Sequence, residues 1–172
     1  VERSLDIDSE GQMVASVLSK KVAAGSTDVV IDIPVGETAK VRSFQEAGAL
    51  SKLLSTVGSS VGLHVQATLS DGSQPVGRGI GPALEARDVL AILQNERDAP
   101  EDLRERALIL AGRILEMSLA VPEGHGTKVA AQILADGRAW KKFHAMCEAQ
   151  GGFREPTRSD FTHVMTAASK GV

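Results

Sequence analysis

The chain has 172 residues, of which 42% are hydrophobic and 3% aromatic, with no tyrosine and a formal net charge of −3. That length fits one domain with a buried core. The weak negative charge and the scarcity of aromatics argue against phosphate-backbone binding and base-stacking platforms, so no nucleic-acid partner is expected. Cys147 stands alone, which excludes an internal disulfide and fits a reducing, cytoplasmic setting. No apolar run is long enough to span a bilayer and no signal peptide is visible, so no membrane partner is expected either.

In chain order, Ser4-Leu5-Asp6-Ile7-Asp8 alternates apolar and polar, the pattern of a short strand or extended lead-in. Ser9 and Gln12 form a capping box that opens a helix through Met13, Val14, Val17, Leu18 and Val22, ended by Gly25. Val29 to Ile33 reads as a buried strand, stopped by Pro34 and Gly36. Phe44 to Val57 is helical by the spacing of Ala47, Leu50, Leu53, Leu54 and Val57, and Leu63 to Leu69 is the next strand. A loop rich in glycine and proline, Asp71 to Pro82, precedes a helix from Ala83 to Gln94. Three more helices follow, over 100–119, 126–134 and 137–149, and Phe161 to Ala167 has the composition of a strand belonging to a following domain.

Strand alternating with helix predicts an α/β fold with a largely parallel sheet, flanking helices and a helix-rich second half. Residues 1–150 form the α/β unit in this reading, and 151–172 a linker with the start of another domain. The chain begins at Val1 and ends at Val172 just after the expected strand, so it reads as a piece of a longer protein.

In parallel α/β sheets ligands gather beyond the carboxyl ends of the strands. The loops there are Asp8 to Glu10, Pro34 to Lys40 and Asp71 to Gly81. Asp8 is either a general acid or a solvated carboxylate favoured by a helix N-terminus. Ser9, Ser16 and Lys20 share one helix stripe, which either holds the carbonyl edge of a base or is an ordinary solvated face. Lys40 either reaches a phosphate as a point charge or is a plain surface lysine. Asp32 interrupts an apolar strand and is expected to bond backbone or cap a neighbouring turn. Gly77, Gly79 and Gly81 form either a phosphate cradle or a tight packing turn; the spacing G-x-G-x-G-P is not that of a dinucleotide site, and the packing reading is favoured. Arg78 is a candidate neighbour of the site. His64, His125, His144 and His163 lack metal-ligand spacing with each other or with Cys147, so no metal is expected.

The segments SLDIDSEGQMVASVLSKKVAAGSTDVVIDIPVGETAKV, DGSQPVGRGIGPALEARDVL and AQGG, collinear over nearly the whole chain, resemble the thymidine phosphorylase/AMP phosphorylase family. DSEGQ and VVIDIPVG..AKV resemble the AMP phosphorylase branch and the bacterial relatives named as putative thymidine phosphorylases. The resemblance implies part of a three-domain type II nucleoside phosphorylase, a pentosyltransferase of nucleotide salvage and pyrimidine metabolism. Its substrates would be a nucleoside, or a nucleoside 5′-monophosphate, and inorganic phosphate, and no organic cofactor would be needed. The parent would be a homodimer through a helical domain that these residues lack, together with its phosphate-binding segment. By resemblance Asp8 falls on the proton-donor position, Ser16 and Lys40 on nucleotide-binding positions, and Ser16 and Lys20 on the pair that holds a pyrimidine ring. The arginine that accompanies that pair would fall near Val1, with Glu2 and Arg3 beside it, and this sequence departs from the thymidine phosphorylase pattern at that point. Phosphorolysis of an N-glycosidic bond is the first functional reading, phosphorolysis of AMP to ribose 1,5-bisphosphate the alternative, and a non-enzymatic α/β ligand-binding domain a third.

Overall fold

The computed structural model describes residues 9–170. The order of elements is α1 (Glu10–Ala23), β1 (Asp28–Val35), α2 (Phe44–Ser60), β2 (His64–Asp71), α3 (Pro82–Leu93), α4 (Glu101–Met117), α5 (Gly126–Ala135) and α6 (Arg138–Ala149). The strand expected at 4–8 and the candidate acid Asp8 lie outside the described residues. β1 and β2 pair in parallel, from Asp28 opposite His64 to Val35 opposite Asp71. With α2 as the crossover between them, the α/β reading holds.

Local signals fix the element starts. Ser9 Oγ accepts the Gln12 N–H at 3.2 Å and caps α1. Ser43 does the same for Glu46 at the head of α2, and the Glu46 carboxylate returns to the Arg42 N–H at 2.9 Å. Gly25 (φ 71°) leaves α1 through the left-handed region that glycine enters without strain. One core forms on one face of the sheet, where Val14 and Leu18 of α1 meet Ala47, Leu50 and Leu54 of α2 over Val29, Ile33 and Val65. α4 packs on the opposite face, against β1.

β1 runs through Pro34 to Val35 instead of stopping at the proline. The hydrogen-bond pattern explains why. Thr27 and Val35 offer their carbonyls to His64 N and Gly72 N at 2.7 and 2.8 Å, so odd-numbered residues face β2. Pro34 therefore turns its nitrogen to the outer edge, where no donor is needed. The strand expected over 161–167 is absent. Phe161, Val164 and Met165 are exposed, and among the described residues no strand lies beside them to complete a ladder. The segment before it is packed. Phe153 stands edge-on to Trp140 with centroids 5.6 Å apart, and the Arg87 guanidinium donates to the carbonyls of Pro156 (3.1 Å) and Thr157 (2.5 Å). Among the described residues no helix is long and apolar enough to cross a membrane.

α4 and α5 meet at two glycines. A Cβ on Gly112 would lie 2.5 Å from Thr127 N, and one on Gly126 would collide with the Gly112 carbonyl. Gly112→Ala should therefore destabilise the fold by about 1–3 kcal/mol, read as a lower urea midpoint at unchanged slope.

Among the described residues four carboxyls are held below the ordinary carboxylate range: Asp28 by a hydrogen bond from His64, Asp71 by the Ser73 N–H, Asp102 by the Gly77 N–H and Asp136 by Arg138. A depressed folded pKa contributes stability that is present above the unfolded value and lost as pH falls through the folded one. The melting temperature should thus fall as the pH drops through about 4 and below. A scan from pH 7 to pH 2 checks this, and a melting temperature that held or rose below pH 4 would contradict it.

Candidate active site

The loops at the carboxyl ends of β1 and β2 are locked together by glycine. A Cβ on Gly36 would lie 2.7 Å from the Gly72 carbonyl carbon, and one on Gly72 would lie 3.0 Å from Pro34. After Gly36 the chain makes a tight turn (Ala39 N–H to Gly36 C=O, 3.0 Å) and returns to β1, where Gly36 N–H reaches Val41 C=O at 3.1 Å. Val41 is buried and Lys40 beside it is exposed. This geometry aims Lys40 at a cleft of about 350 Å³ lined by Ser9, Glu10, Met13, Arg42 and Glu46. The cleft lies between the capped starts of α1 and α2. Two cations and two carboxylates line it, and Glu46 is engaged with the Arg42 backbone.

Ser16 and Lys20 are exposed on α1, with Lys20 Nζ donating to Ser16 Oγ at 3.5 Å. At 3.6 residues per turn, Ser9, Met13, Ser16 and Lys20 fall within a sector of about 60°. Ser9 and Met13 line the Lys40 cleft directly; Ser16 and Lys20 continue the same stripe beyond it. The structure thus brings Ser16 to Lys20 and Lys40 to Ser9 and Met13, and the two groups border one side of α1. Arg42 was not singled out in the sequence. The S-x-x-E box at Ser43–Glu46 is the signal that puts it at a helix entrance.

The glycine loop is closed by carboxylates. Asp88 Oδ2 accepts the N–H groups of Arg78 and Gly79, both at 2.7 Å, and Asp102 accepts that of Gly77 at 2.9 Å. Glu85 accepts the Gly81 N–H at 2.9 Å. The amides a phosphate cradle would need are already occupied by the chain's own anions. Gly79 also sits so close to Leu84 that a Cβ would strike its carbonyl group, as a packing turn requires.

On the α4 side of the sheet lies a second cleft, of about 480 Å³, bordered by Asp32, Ser70, Asp102, Glu105 and Arg106. Among the described residues the Asp32 side chain neither bonds backbone nor caps a turn. Its Oδ2 is 3.9 Å from Arg106 Nη1, and its Oδ1 is buried without a partner among the described residues. Its side chain points away from α1 and α2 because alternate residues of a strand face opposite sides, which puts α4 within its reach. Among the described residues no group of His, Cys, Asp and Glu is arranged to hold a metal ion.

The chain is 63% identical over 171 residues to "Putative thymidine phosphorylase 1" of Acidovorax sp. (strain JS42), covering 99% of this chain and 34% of that protein. It is 61% identical to a "Putative thymidine phosphorylase" of Legionella pneumophila (strain Paris), with 99% and 33% covered. A protein of the same name in Parvibaculum lavamentivorans is 55% identical, with 99% and 34% covered. The chain is homologous to one stretch of these proteins named "putative thymidine phosphorylase". It spans about a third of the length of the curated relatives it matches. No protein-family model matches it.

The carboxylate closure predicts a double result. Asp88→Ala leaves two amides without an acceptor and should cost about 1–3 kcal/mol for each. Millimolar inorganic phosphate should leave the amide resonances of Arg78 and Gly79 in the wild-type chain unmoved. Movement of both on adding phosphate would restore the cradle reading.

Proposed function

We propose that this chain supplies the nucleoside-binding part of a thymidine phosphorylase-type pentosyltransferase. Phosphate attacks the anomeric carbon, the N-glycosidic bond breaks, and free base and sugar 1-phosphate leave. The observation that carries the proposal is 63% identity over 171 residues to a relative bearing that name. The geometry supports it, since Ser16, Lys20 and Lys40 border one side of α1 and Lys40 occupies a cleft beyond the carboxyl end of β1. Lys20 and Ser16 offer a donor pair for a base carbonyl. Asp8 protonates the departing base, a step typically worth 10²–10⁴-fold. Substrate and phosphate are the partners, and the assembly is a homodimer through a helical domain outside these residues.

A second reading rests on a separate observation. Lys40 and Arg42 line one cleft, and paired cations suit the added charge of a 5′-monophosphate. In that reading AMP is cleaved to ribose 1,5-bisphosphate. The two readings share Asp8, Ser16 and Lys20 and differ in what Lys40 touches.

The test uses the full-length gene product that carries this sequence. Asp8→Asn should lower kcat by about 10²–10⁴-fold at little change in KM. Ser16→Ala and Lys20→Ala should mainly raise KM. Values of kcat/KM for thymidine, uridine, CMP and AMP then separate the readings. If the substrate carries a 5′-phosphate, Lys40→Ala should cost about 10- to 100-fold on the monophosphates alone, the loss expected for a charged hydrogen bond. Equal losses on all four would remove the 5′-phosphate role. Normal turnover by Asp8→Asn would remove the acid. The 172-residue chain by itself should show no phosphorolysis, because attack needs phosphate fixed about 3–3.5 Å from the sugar carbon. In this proposal the phosphate-binding segment belongs to another part of the full-length protein.

A further inference from the structure

The two faces of the sheet differ in composition. Toward α1 and α2 the strands present Val29, Ile33, Val35 and Val65, all buried. Toward α4 they present Asp32, Thr68 and Ser70, because Asp32 stands opposite Thr68 in the register and alternate residues share a face. A sheet face covered by a helix is ordinarily apolar. This one is polar, and the layer between it and α4 is not filled. The cleft of about 480 Å³ runs there, between Asp32 and Ser70 of the sheet and Glu105, Arg106 and Ile109 of α4.

Two polar atoms bordering that cleft lack what burial requires. Asp32 Oδ1 and Ser70 Oγ are shut off from solvent without a hydrogen-bond partner among the described residues. Such atoms are rare in folded proteins, since each loses its hydration and gains no bond in exchange. Arg106 does not supply the missing bond. Its Nη2 donates to the Asp71 carbonyl at 2.5 Å, and its Nη1 stays 3.9 Å from Asp32 Oδ2, beyond hydrogen-bond length. The position calls for a donor that reaches Asp32 and Ser70 from within the cleft.

The charge of the lining says which donor. Asp32, Asp71, Asp102 and Glu105 border the cleft against one cation, Arg106. The field there favours a positive group. Ile109 and Leu110 of α4 add an apolar wall. Among the described residues no donor set is arranged to hold a metal ion. An alkylammonium fits instead, with three N–H donors, no acceptor, and a hydrocarbon stem to lie along the wall. We propose that the cleft between the sheet and α4 binds a small organic amine, its ammonium on Asp32 and Ser70 and its alkyl part against Ile109 and Leu110. The site lies on the opposite face of the sheet from the Lys40 cleft and is independent of the proposed phosphorolysis.

Calorimetric titration of the full-length gene product that carries this sequence tests it. The probe is n-butylammonium, with n-butanol and butyrate as its neutral and anionic counterparts. The ammonium should bind with a Kd of about 1–10 mM, and the other two at least about 10-fold more weakly, since only a charged donor satisfies the carboxylate. Asp32→Asn keeps the size of the side chain and removes its charge, and it should weaken n-butylammonium at least about 10-fold. Ser70→Ala should weaken it about 3- to 10-fold, and it decides the matter if Asp32→Asn fails to fold. Melting gives a second readout: n-butylammonium should raise the melting temperature of the wild type and leave that of Asp32→Asn unchanged. An amine that binds no better than butyrate, or that binds Asp32→Asn as tightly as wild type, would overturn the proposal. So would a crystal structure of the full-length product in which one of its own lysines sits on Asp32 and the amine does not enter.

Discussion

The parallel pairing of β1 with β2 is the constraint on which the candidate site depends. Two parallel strands cannot be joined by a tight turn, so the chain must climb back through α2, and α2 must bury its apolar stripe on the sheet. Ala47, Leu50 and Leu54 do so, and Val14 and Leu18 of α1 complete the same core. That packing brings the capped starts of α1 and α2 to the carboxyl end of β1. The close approach of Gly36 to Gly72 then fixes the loop that carries Lys40. A side chain at either glycine would force the two loops apart and move the lysine with them.

The two faces of the sheet have different roles. On the α1/α2 side, exposed hydroxyl and ammonium groups border a cleft whose walls are held by backbone hydrogen bonds and caps. On the α4 side, carboxylates serve the fold. Asp88 and Asp102 saturate the amides of the glycine loop, and Arg106 ties α4 to β2 through the Asp71 carbonyl at 2.5 Å. Anion-binding capacity on that side is thus spent internally, whereas Lys40 and Arg42 have carboxylate company but open on solvent.

The sequence made some of this legible. The capping box at Ser9–Gln12, the helix period in α2 and the apolar run of β1 are local signals, and each element lies within a few residues of its expected bounds. The Ser16–Lys20 pair was legible for the same reason, being one helical turn apart. The extension of β1 through Pro34 was not, because it depends on which edge of the strand faces β2. The closure of the glycine loop was hidden too, since Asp102 lies 25 residues from Gly77 and meets it only through the packing of α4. The ionic neighbour of Asp32 was hidden on the same ground, because Arg106 comes from a distant helix. Residues 161–167 have a strand's composition, but composition does not supply a partner.

The most direct test of the whole account is a crystal structure of the full-length gene product with a nucleoside and phosphate bound. The account predicts the base against Ser16 and Lys20, with the sugar directed to Lys40. A base seated on the α4 side of the sheet, between Asp32, Ser70 and Arg106, would contradict it.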